Sequence, residues 1–181
     1  MKNVLPEFSK EVFDKPEQLD LYSELMNTHP LHGFKFDVSK EEFDKKYLSN
    51  IDTAELAYDY CFKYNIKNNP ELEKIIATNA EYSYRYAHYV LKDRFKLGEP
   101  IIATDPWYSY EYALEVLHGR FYMGEKIIAT SPEFSVRYAT EVLKGPFDLG
   151  ESVIIRDLEA KEQYIQFLKS KNIPIPRPFQ F

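Results

Sequence analysis

Apolar side chains recur with a period of 26 residues through the second half of the chain. Three consecutive segments, residues 79–104, 105–130 and 131–156, align without a gap. The first two agree at 15 of 26 positions and the last two at 12 of 26. Because chance would give about one or two matches, these segments are internal repeats, which predicts supersecondary units that stack on one another.

Each unit opens with the apolar spacing of a helix that buries one face. In the first unit the i, i+3, i+4, i+7 and i+8 positions hold Ser83, Tyr86, Ala87, Val90 and Leu91. The same kinds of side chain stand at the same places in the other two units. We therefore expect a long helix with an inward tyrosine, whose small serine and alanine let a second helix approach closely.

Start and stop signals bound this helix. Asn79, Asp105 and Ser131 are predicted N-caps, and Gly119 and Gly145 are predicted to end the second and third helices in the left-handed conformation. A loop with a recurrent phenylalanine and a Gly-Glu pair follows, and it leads to a short helix that carries paired isoleucines. Each unit is thus predicted to be a long helix, a tight loop and a short helix.

The flanking segments are predicted to complete and close the array. Residues 53–78 keep the frame as a degenerate first unit, and residues 157–169 give a terminal helix. Residues 1–50 are predicted to form a capping region, because an uncapped array end would leave apolar surface in water. The Pro-rich tail, residues 170–181, is extended and either packs on the body or is free. The predicted fold is all-α: a short, right-handed-type α-solenoid over residues 53–169 with an irregular N-terminal cap.

Composition narrows the classes of function. The 181 residues include 44% hydrophobic side chains, which suffice for a core, and 16% aromatic ones. The net charge is −6, which argues against a general binder of the nucleic-acid backbone, because such a protein carries an excess of lysine and arginine.

Cysteine content and hydropathy indicate a cytoplasmic protein. Cys61 is the single cysteine, so neither an intramolecular disulfide nor a cysteine-based zinc site is expected. It is in frame with Ala87, Ala113 and Ala139, which indicates a small core residue. The first residues lack the apolar run of a signal peptide, and no stretch approaches the ~20 apolar residues of a membrane span.

Recurrent charged residues in the loops have two interpretations. An arginine precedes the loop phenylalanine in two units, and a glutamate follows the loop glycine in all three. The residues are Arg94, Arg120, Glu99, Glu125 and Glu151. They either line a row of binding sites or form structural pairs, and the second is favoured because Pro146 replaces the arginine of the third unit.

The aromatic and histidine residues offer weaker chemistry. The tyrosine-rich run 82–89 could stack nucleic-acid bases, but packing between units is the favoured interpretation. His29 and His32 lie in a predicted loop and are poor candidates for a metal site. Known catalytic and metal-binding motifs are absent from the sequence. We predict no catalytic residue, no metal site and no cofactor.

The outer helix face of the second unit differs from the others. Trp107, Glu111, Leu114 and His118 are spaced i, i+4, i+7 and i+11, on the face predicted to lie opposite the core. The equivalent faces of the first and third units carry charged residues, among them Arg85 and Arg137. A tryptophan and a leucine rimmed by charge are typical of a binding hot spot. The alternative is that a terminal segment covers them.

The unit pattern resembles tandem repeats in uncharacterised proteins of tailed phages and giant DNA viruses. The resemblance rests on Tyr112-Ala113, Val116-Leu117, Gly119-Arg120-Phe121 and Gly124-Glu125 with their equivalents, and it is sharp over residues 79–154. It implies a viral accessory protein that acts in the host cytoplasm, and it supplies no reaction and no catalytic residues.

Three functions follow as hypotheses. The first is a non-enzymatic protein that binds a host protein and inhibits or redirects it, through the outer face that contains Trp107. The second is a nucleic-acid or nucleotide binder that uses tyrosines and basic outer residues. The third is an enzyme with a site in the N-terminal region around His29, His32 and Asp37. Binding to a membrane is not expected, and the oligomeric state is left open.

Overall fold

The computed structural model describes residues 40–41 and 51–179. The chain divides into two units, Met1–Ser49 and Asn50–Phe181. Across residues 40–41 and 51–179 the secondary structure is helical, with no strand. The predicted capping region, residues 1–50, lies outside the described residues except for Lys40 and Glu41.

Long and short helices alternate along the described chain, as the sequence predicts. The long helices are α1 (Ala54–Tyr64), α3 (Ala80–Arg85, continued to Leu91), α5 (Pro106–Glu111, continued to Val116), α7 (Pro132–Arg137, continued to Leu143) and α9 (Leu158–Ser170). The short helices are α2 (Pro70–Ile76), α4 (Glu99–Ile102), α6 (Glu125–Ile128) and α8 (Glu151–Ile154). Single 3₁₀ turns cover Asp148–Gly150 and Arg177–Phe179. Each long helix from α1 to α7 contacts the next long helix along the chain, so neighbouring units pack side by side.

The predicted N-caps are confirmed. The side chains of Asn79, Asp105 and Ser131 accept hydrogen bonds from backbone N–H groups in the first turns of α3, α5 and α7, at 3.2, 2.9 and 3.4 Å. Pro106 and Pro132 occupy the first helical position, where a missing N–H breaks no helical bond.

A π-helical segment, absent from the sequence-based prediction, ends each of the three internal long helices. These segments are Tyr86–Leu91, Tyr112–Val116 and Tyr138–Leu143. In α5 the N–H of Leu117 donates to the carbonyl of Tyr112, five residues earlier, at 2.9 Å. A π turn holds more residues than an α turn, so side chains after it rotate away from the face that α-helical spacing assigns to them.

The predicted left-handed glycines are wrong. Gly119 and Gly145 do not have positive φ; the left-handed residues are His118 (φ 48°) and Lys144 (φ 52°), one position earlier. The glycine N–H groups reach back six residues, from Gly119 to the carbonyl of Ala113 at 3.0 Å in α5. The wider π turn moves the end of the helix relative to the sequence signal for a C-cap.

The glycine of each Gly-Glu pair lies where no side chain fits. A Cβ atom on Gly124 would lie 2.5 Å from the Phe121 ring and 2.8 Å from Cβ of Ser109. Ser109 in turn donates its hydroxyl to the carbonyl of Ile102 in the preceding unit at 3.0 Å. Phenylalanine, glycine and serine therefore recur together because they form one packing cluster, whose serine also bonds to the neighbouring unit.

The core repeats with the units. The inward tyrosines and the last isoleucine of each short helix are fully buried: Tyr86, Tyr112, Tyr138, Tyr164, Ile76, Ile102, Ile128 and Ile154. Cys61 is also buried, as predicted from its alignment with alanines, and burial raises the pKa of its thiol to about 12. The tail packs back on the body through Phe179, whose ring centroid lies 5.4 Å from that of Tyr164.

Candidate interaction surfaces

The recurrent arginines and glutamates form pairs within the array. Arg120 donates from Nε and Nη2 to the two carboxylate oxygens of Glu125 at 2.8 and 3.0 Å. Arg94 makes the same bidentate contact with Glu99. Both glutamates are buried, while both arginines are half-exposed. The interpretation of these residues as structural pairs is confirmed.

A tyrosine from the following unit completes each pair. The hydroxyl of Tyr138 donates to Glu125 Oε1 at 3.0 Å and accepts the backbone N–H of Phe121 at 2.9 Å. We call this arrangement, a tyrosine hydroxyl bound to the glutamate 13 residues earlier and to a backbone N–H, the Tyr–Glu clasp. It occurs at Glu73–Tyr86, Glu99–Tyr112, Glu125–Tyr138 and Glu151–Tyr164. Each clasp joins two consecutive units.

The electrostatics of the clasp suit a structural role. Burial is the largest influence on Tyr112 and Tyr138 and raises the pKa of both hydroxyls, so they remain neutral donors. The hydrogen bond to Glu125 raises the pKa of Arg120, which stays charged. The tyrosine hydroxyl and the guanidinium are thus each held in one protonation state, and both donate their hydrogen bonds to the carboxylate of Glu125.

The predicted hot spot is less exposed than its spacing suggested. Trp107 is half-buried: its ring packs edge-on against Phe134 of the next unit, with centroids 5.6 Å apart, and lies 6.3 Å from Tyr110. Glu111 and Leu114 are half-buried as well. The predicted face is therefore partly covered: Phe134 of the next unit packs on Trp107, and the Tyr84 hydroxyl of the preceding unit lies 3.5 Å from Glu111 Oε2.

His118, the fourth predicted residue, is exposed and caps its helix. It has a left-handed backbone, and its Nδ1 lies 3.0 Å from the carbonyl oxygen of Leu114. The π segment Tyr112–Val116 lies between Glu111 and His118, so the four residues do not continue one α-helical stripe. Trp107 and Glu111 belong to the α-helical part, and His118 to the helix end.

The two arginines of the predicted binding face each form an ion pair within their own helix. Arg85 Nη2 lies 2.7 Å from Glu81 Oε1, and Arg137 Nη2 lies 3.2 Å from Glu133 Oε1. The Arg85 side chain is 17% exposed and that of Arg137 is 45% exposed, so Arg137 is the more accessible cation. Both arginines are therefore oriented by an acidic neighbour one turn away.

The tyrosine-rich run packs between units, as favoured from the sequence. Ring centroids are 5.8 Å apart for Tyr58 and Tyr82, and 6.0 Å apart for Tyr84 and Tyr108. Tyr110 stacks on Phe134 at 6.0 Å in the next interface. One aromatic contact of this kind therefore recurs at successive unit boundaries, and it occupies ring surface that base stacking would require.

A row of exposed apolar side chains lies at the loops, where the sequence analysis assigned no function. We call Leu97, Met123 and Leu149 the loop row; their exposed fractions are 50%, 53% and 54%. Tyr122 beside Met123 is 72% exposed, and the Arg120 guanidinium lies 4.9 Å from its ring centroid. The 26-residue spacing of the row was visible in the sequence, but it did not reveal which loop residues remain uncovered.

One buried carboxyl group stands apart from the clasps. Asp59 in α1 is buried, and its Oδ2 has no hydrogen-bond partner. Burial, with a further contribution from Glu55 and an opposing one from Arg85, raises the pKa of Asp59 to about 7. One position of the repeat alternates in the sign of its charge from unit to unit. Its residues are Asp59, Arg85, Glu111 and Arg137.

Several predictions concern residues beyond the described ranges. His29, His32 and Asp37, the suggested enzymatic region, lie outside the described residues. Within residues 40–41 and 51–179, no group of three or more histidine, cysteine, aspartate and glutamate side chains could hold a metal ion. None of the helices in these ranges combines the length and the apolar character needed to cross a bilayer.

Comparisons with protein-family models, with curated proteins and with solved structures give no match for this chain. The function proposed below therefore rests on the contacts and exposure of the described residues.

Proposed function

We propose that the repeats form an α-solenoid that binds another protein without catalysing a reaction. The supporting observation is Trp107, which packs edge-on against Phe134, lies beside Tyr110 and remains partly exposed on a charged helix face. An aromatic side chain that is ordered before binding loses little conformational entropy in a complex. Such side chains carry much of the energy in protein interfaces.

The surroundings of Trp107 favour a protein partner. The same helix positions hold Glu81 and Glu133 in the units on either side, each paired with an arginine one turn later. An apolar centre with a charged rim is the usual composition of a protein-binding surface. With a net charge of −6, a nucleic-acid backbone would be a poorer partner.

The resemblance to viral repeats suggests where the protein would act and what kind of partner it would bind. A viral accessory protein of this kind would act in the host cytoplasm, and its partner would be a host protein that it inhibits or redirects. The helix face around Trp107 would then contact that host protein, and Arg137 and His118 would lie at the edge of the contact.

The experiment is affinity purification of the tagged protein from host cells, with nuclease treatment in parallel. We expect one nuclease-resistant protein in near-equal amount with the unmodified chain. Trp107→Ala and Arg137→Glu should lose it, and Arg156→Glu, an exposed arginine beyond the third unit's short helix, should retain it. Because Trp107 packs on Phe134, circular dichroism must show that the variants keep their helical content.

Two outcomes contradict the proposal. One is a partner that stays bound to both Trp107→Ala and Arg137→Glu when both variants are folded. The other is the loss of every partner on nuclease treatment, which would favour nucleic-acid binding with an affinity that falls steeply as salt rises.

A further inference from the structure

The exposed apolar surface of the described chain is concentrated at the loop row. Five large hydrophobic side chains are exposed among the described residues, and four of them are Leu97, Met123, Leu149 and Tyr122. The fifth, Leu158, lies at the start of α9. Elsewhere in the described ranges, large apolar side chains are buried or half-buried, so the loop row is an apolar surface that the units do not cover.

The row is regular because the units are. Consecutive long helices pack against each other, and packed helices lie about 8–10 Å apart. We therefore expect equivalent residues in neighbouring units to lie about 8–10 Å apart, which puts Leu97 and Leu149 about 16–20 Å apart with Met123 between them. Three apolar side chains in single file form a narrow surface.

The apolar residues of the loop row are the same on either side of its centre. Its apolar residues are leucine, methionine and leucine, with Met123 at the centre. The residues that precede them are Lys96, Tyr122 and Asp148: a cation, an aromatic residue and an anion. Lys96 and Asp148 are exposed, and neither forms an ion pair within the described part of the chain.

A two-fold axis through Met123 makes this surface self-complementary. It places Leu97 against Leu149 of a second copy, and Lys96 against Asp148 of that copy. Because the operation is symmetric, the same two contacts form twice, as in an isologous interface. We propose that two copies of this chain pair antiparallel through their loop rows, with a Lys96–Asp148 ion pair at each end.

The local charges agree with this pairing. Burial is the main cause of the raised pKa of Glu151 and the negative charge of Asp148 adds to it, so a cation arriving at Asp148 relieves an unfavourable interaction. Near the centre, the Arg120 guanidinium lies over the ring of Tyr122, which precedes Met123 in the chain. Lys126, three residues after Met123, would approach its own copy, which limits the affinity. The pairing is therefore a weak one, set by register and charge.

Charge-swap variants test the pairing by sedimentation equilibrium. The unmodified chain should dimerise as its concentration rises to roughly 1 mM, the range in which narrow interfaces associate. Lys96→Asp places two anions at each end, and Asp148→Lys places two cations there. Each variant alone should associate about tenfold more weakly than the unmodified chain.

The decisive sample is an equimolar mixture of the two variants. In a mixed dimer, both end contacts join a carboxylate of the Lys96→Asp copy to an ammonium group of the Asp148→Lys copy. Opposite charges then meet at each end again, so association should return to at least the original strength. Lys169→Asp, an equal charge change at an exposed site on α9, should associate as the unmodified chain does.

Three results would overturn the proposal: an unmodified chain that stays monomeric over the whole range, single variants that associate as strongly as the unmodified chain, or a mixture that associates no better than either variant. Met123→Asp supplies a check that does not depend on the end charges, since it should abolish association while helical content is kept. Any of the three overturning results would leave the loop row to a different partner.

Discussion

The internal long helices and the terminal ones differ in two features that occur together. Helices α3, α5 and α7 contain π segments, and each leads into a loop with a buried phenylalanine and a Gly-Glu pair. Helices α1 and α9 are α-helical throughout, and neither is followed by such a loop. In α1 the left-handed cap is Asn65, one residue before the position equivalent to Lys92 in α3.

The Tyr–Glu clasp does not follow this division. It joins Glu151 to Tyr164 of α9, a helix without a π segment, at 3.0 Å, the same distance as between Glu125 and Tyr138. The π segment and the clasp therefore have separate structural roles within the repeat. The π segment positions the phenylalanine–glycine loop, while the clasp links one unit to the next whatever loop intervenes.

The clasps also differ in their cations. Those at Glu99 and Glu125 include an arginine, and these glutamates are buried. Pro146 removes the arginine from the clasp at Glu151, where burial raises the pKa of the half-buried carboxyl group. A central clasp is thus an ion pair with a tyrosine added, and the terminal one is a tyrosine–carboxylate hydrogen bond alone.

The largest effect is expected where an internal loop closes on its helix. Gly124→Ala should lower the free energy of unfolding by about 3 kcal/mol, because the added methyl group overlaps Phe121 and Ser109. Gly119→Ala is the matched control, since its Cβ would meet nothing closer than 3.8 Å and its φ is not positive. Urea denaturation of both variants checks this, and equal losses would contradict the close packing of the loop.

The stability of the degenerate first unit, residues 53–78, should depend on pH in a way that the internal units do not. The pKa of Asp59 is raised from 3.8 to about 7, so between these values the folded chain holds a proton that the unfolded chain releases. The free energy of unfolding should therefore fall as pH rises across this window, by at most about 1.4 kcal/mol per pH unit.

Thermal denaturation of the unmodified chain and Asp59→Asn at several pH values measures this dependence. The difference between the two slopes isolates the contribution of Asp59 from that of the other titrating groups. We expect Asp59→Asn to flatten the profile and to be the more stable protein above about pH 7. Parallel profiles would show that Asp59 does not titrate in this window.

Removal of the carboxylate charge should distinguish the central clasp from the terminal one. Glu125→Gln leaves Arg120 without its anion and should cost about 2 kcal/mol, whereas Glu151→Gln should cost about 0.5 kcal/mol, because no arginine depends on it. Urea denaturation compares the two directly. Equal losses would mean that the arginine adds nothing to the clasp.

The smallest effect should come from restoring the missing cation. Pro146→Arg recreates the sequence context of Arg120, so it should be more stable than Pro146→Gln by about 0.5 kcal/mol at low salt. The glutamine variant controls for the loss of proline. The difference should shrink as salt rises, and a difference that does not depend on salt would point to a cause other than the ion pair.

Much of the helical pattern was predictable because it depends on contacts close in sequence. The caps at Asn79, Asp105 and Ser131 are local hydrogen bonds, and the inward tyrosines follow from apolar spacing. The burial of Cys61 followed from its alignment with alanines. Each of these predictions used the residue type and its place in the repeat alone.

The degree of exposure could not be predicted from the sequence where contacts between distant residues decide it. Trp107 is partly covered because Phe134, 27 residues later, lies against it, and helical spacing contains no information on that contact. His118 departs from the predicted face because of a π turn, which has no clear sequence signal. The role of Glu125 was predicted only in part, since Arg120 is close in sequence but Tyr138 belongs to the next unit.

A double-mutant cycle on Tyr138 and Glu125 tests whether the Tyr–Glu clasp links consecutive units. The free energies of unfolding of Tyr138→Phe, Glu125→Ala and the double variant are compared with that of the unmodified chain. We expect a coupling energy of about 1 kcal/mol or more, because each change removes the same hydrogen bond at 3.0 Å. Losses that add to within about 0.3 kcal/mol would contradict it, since the two residues would then stabilise the array independently.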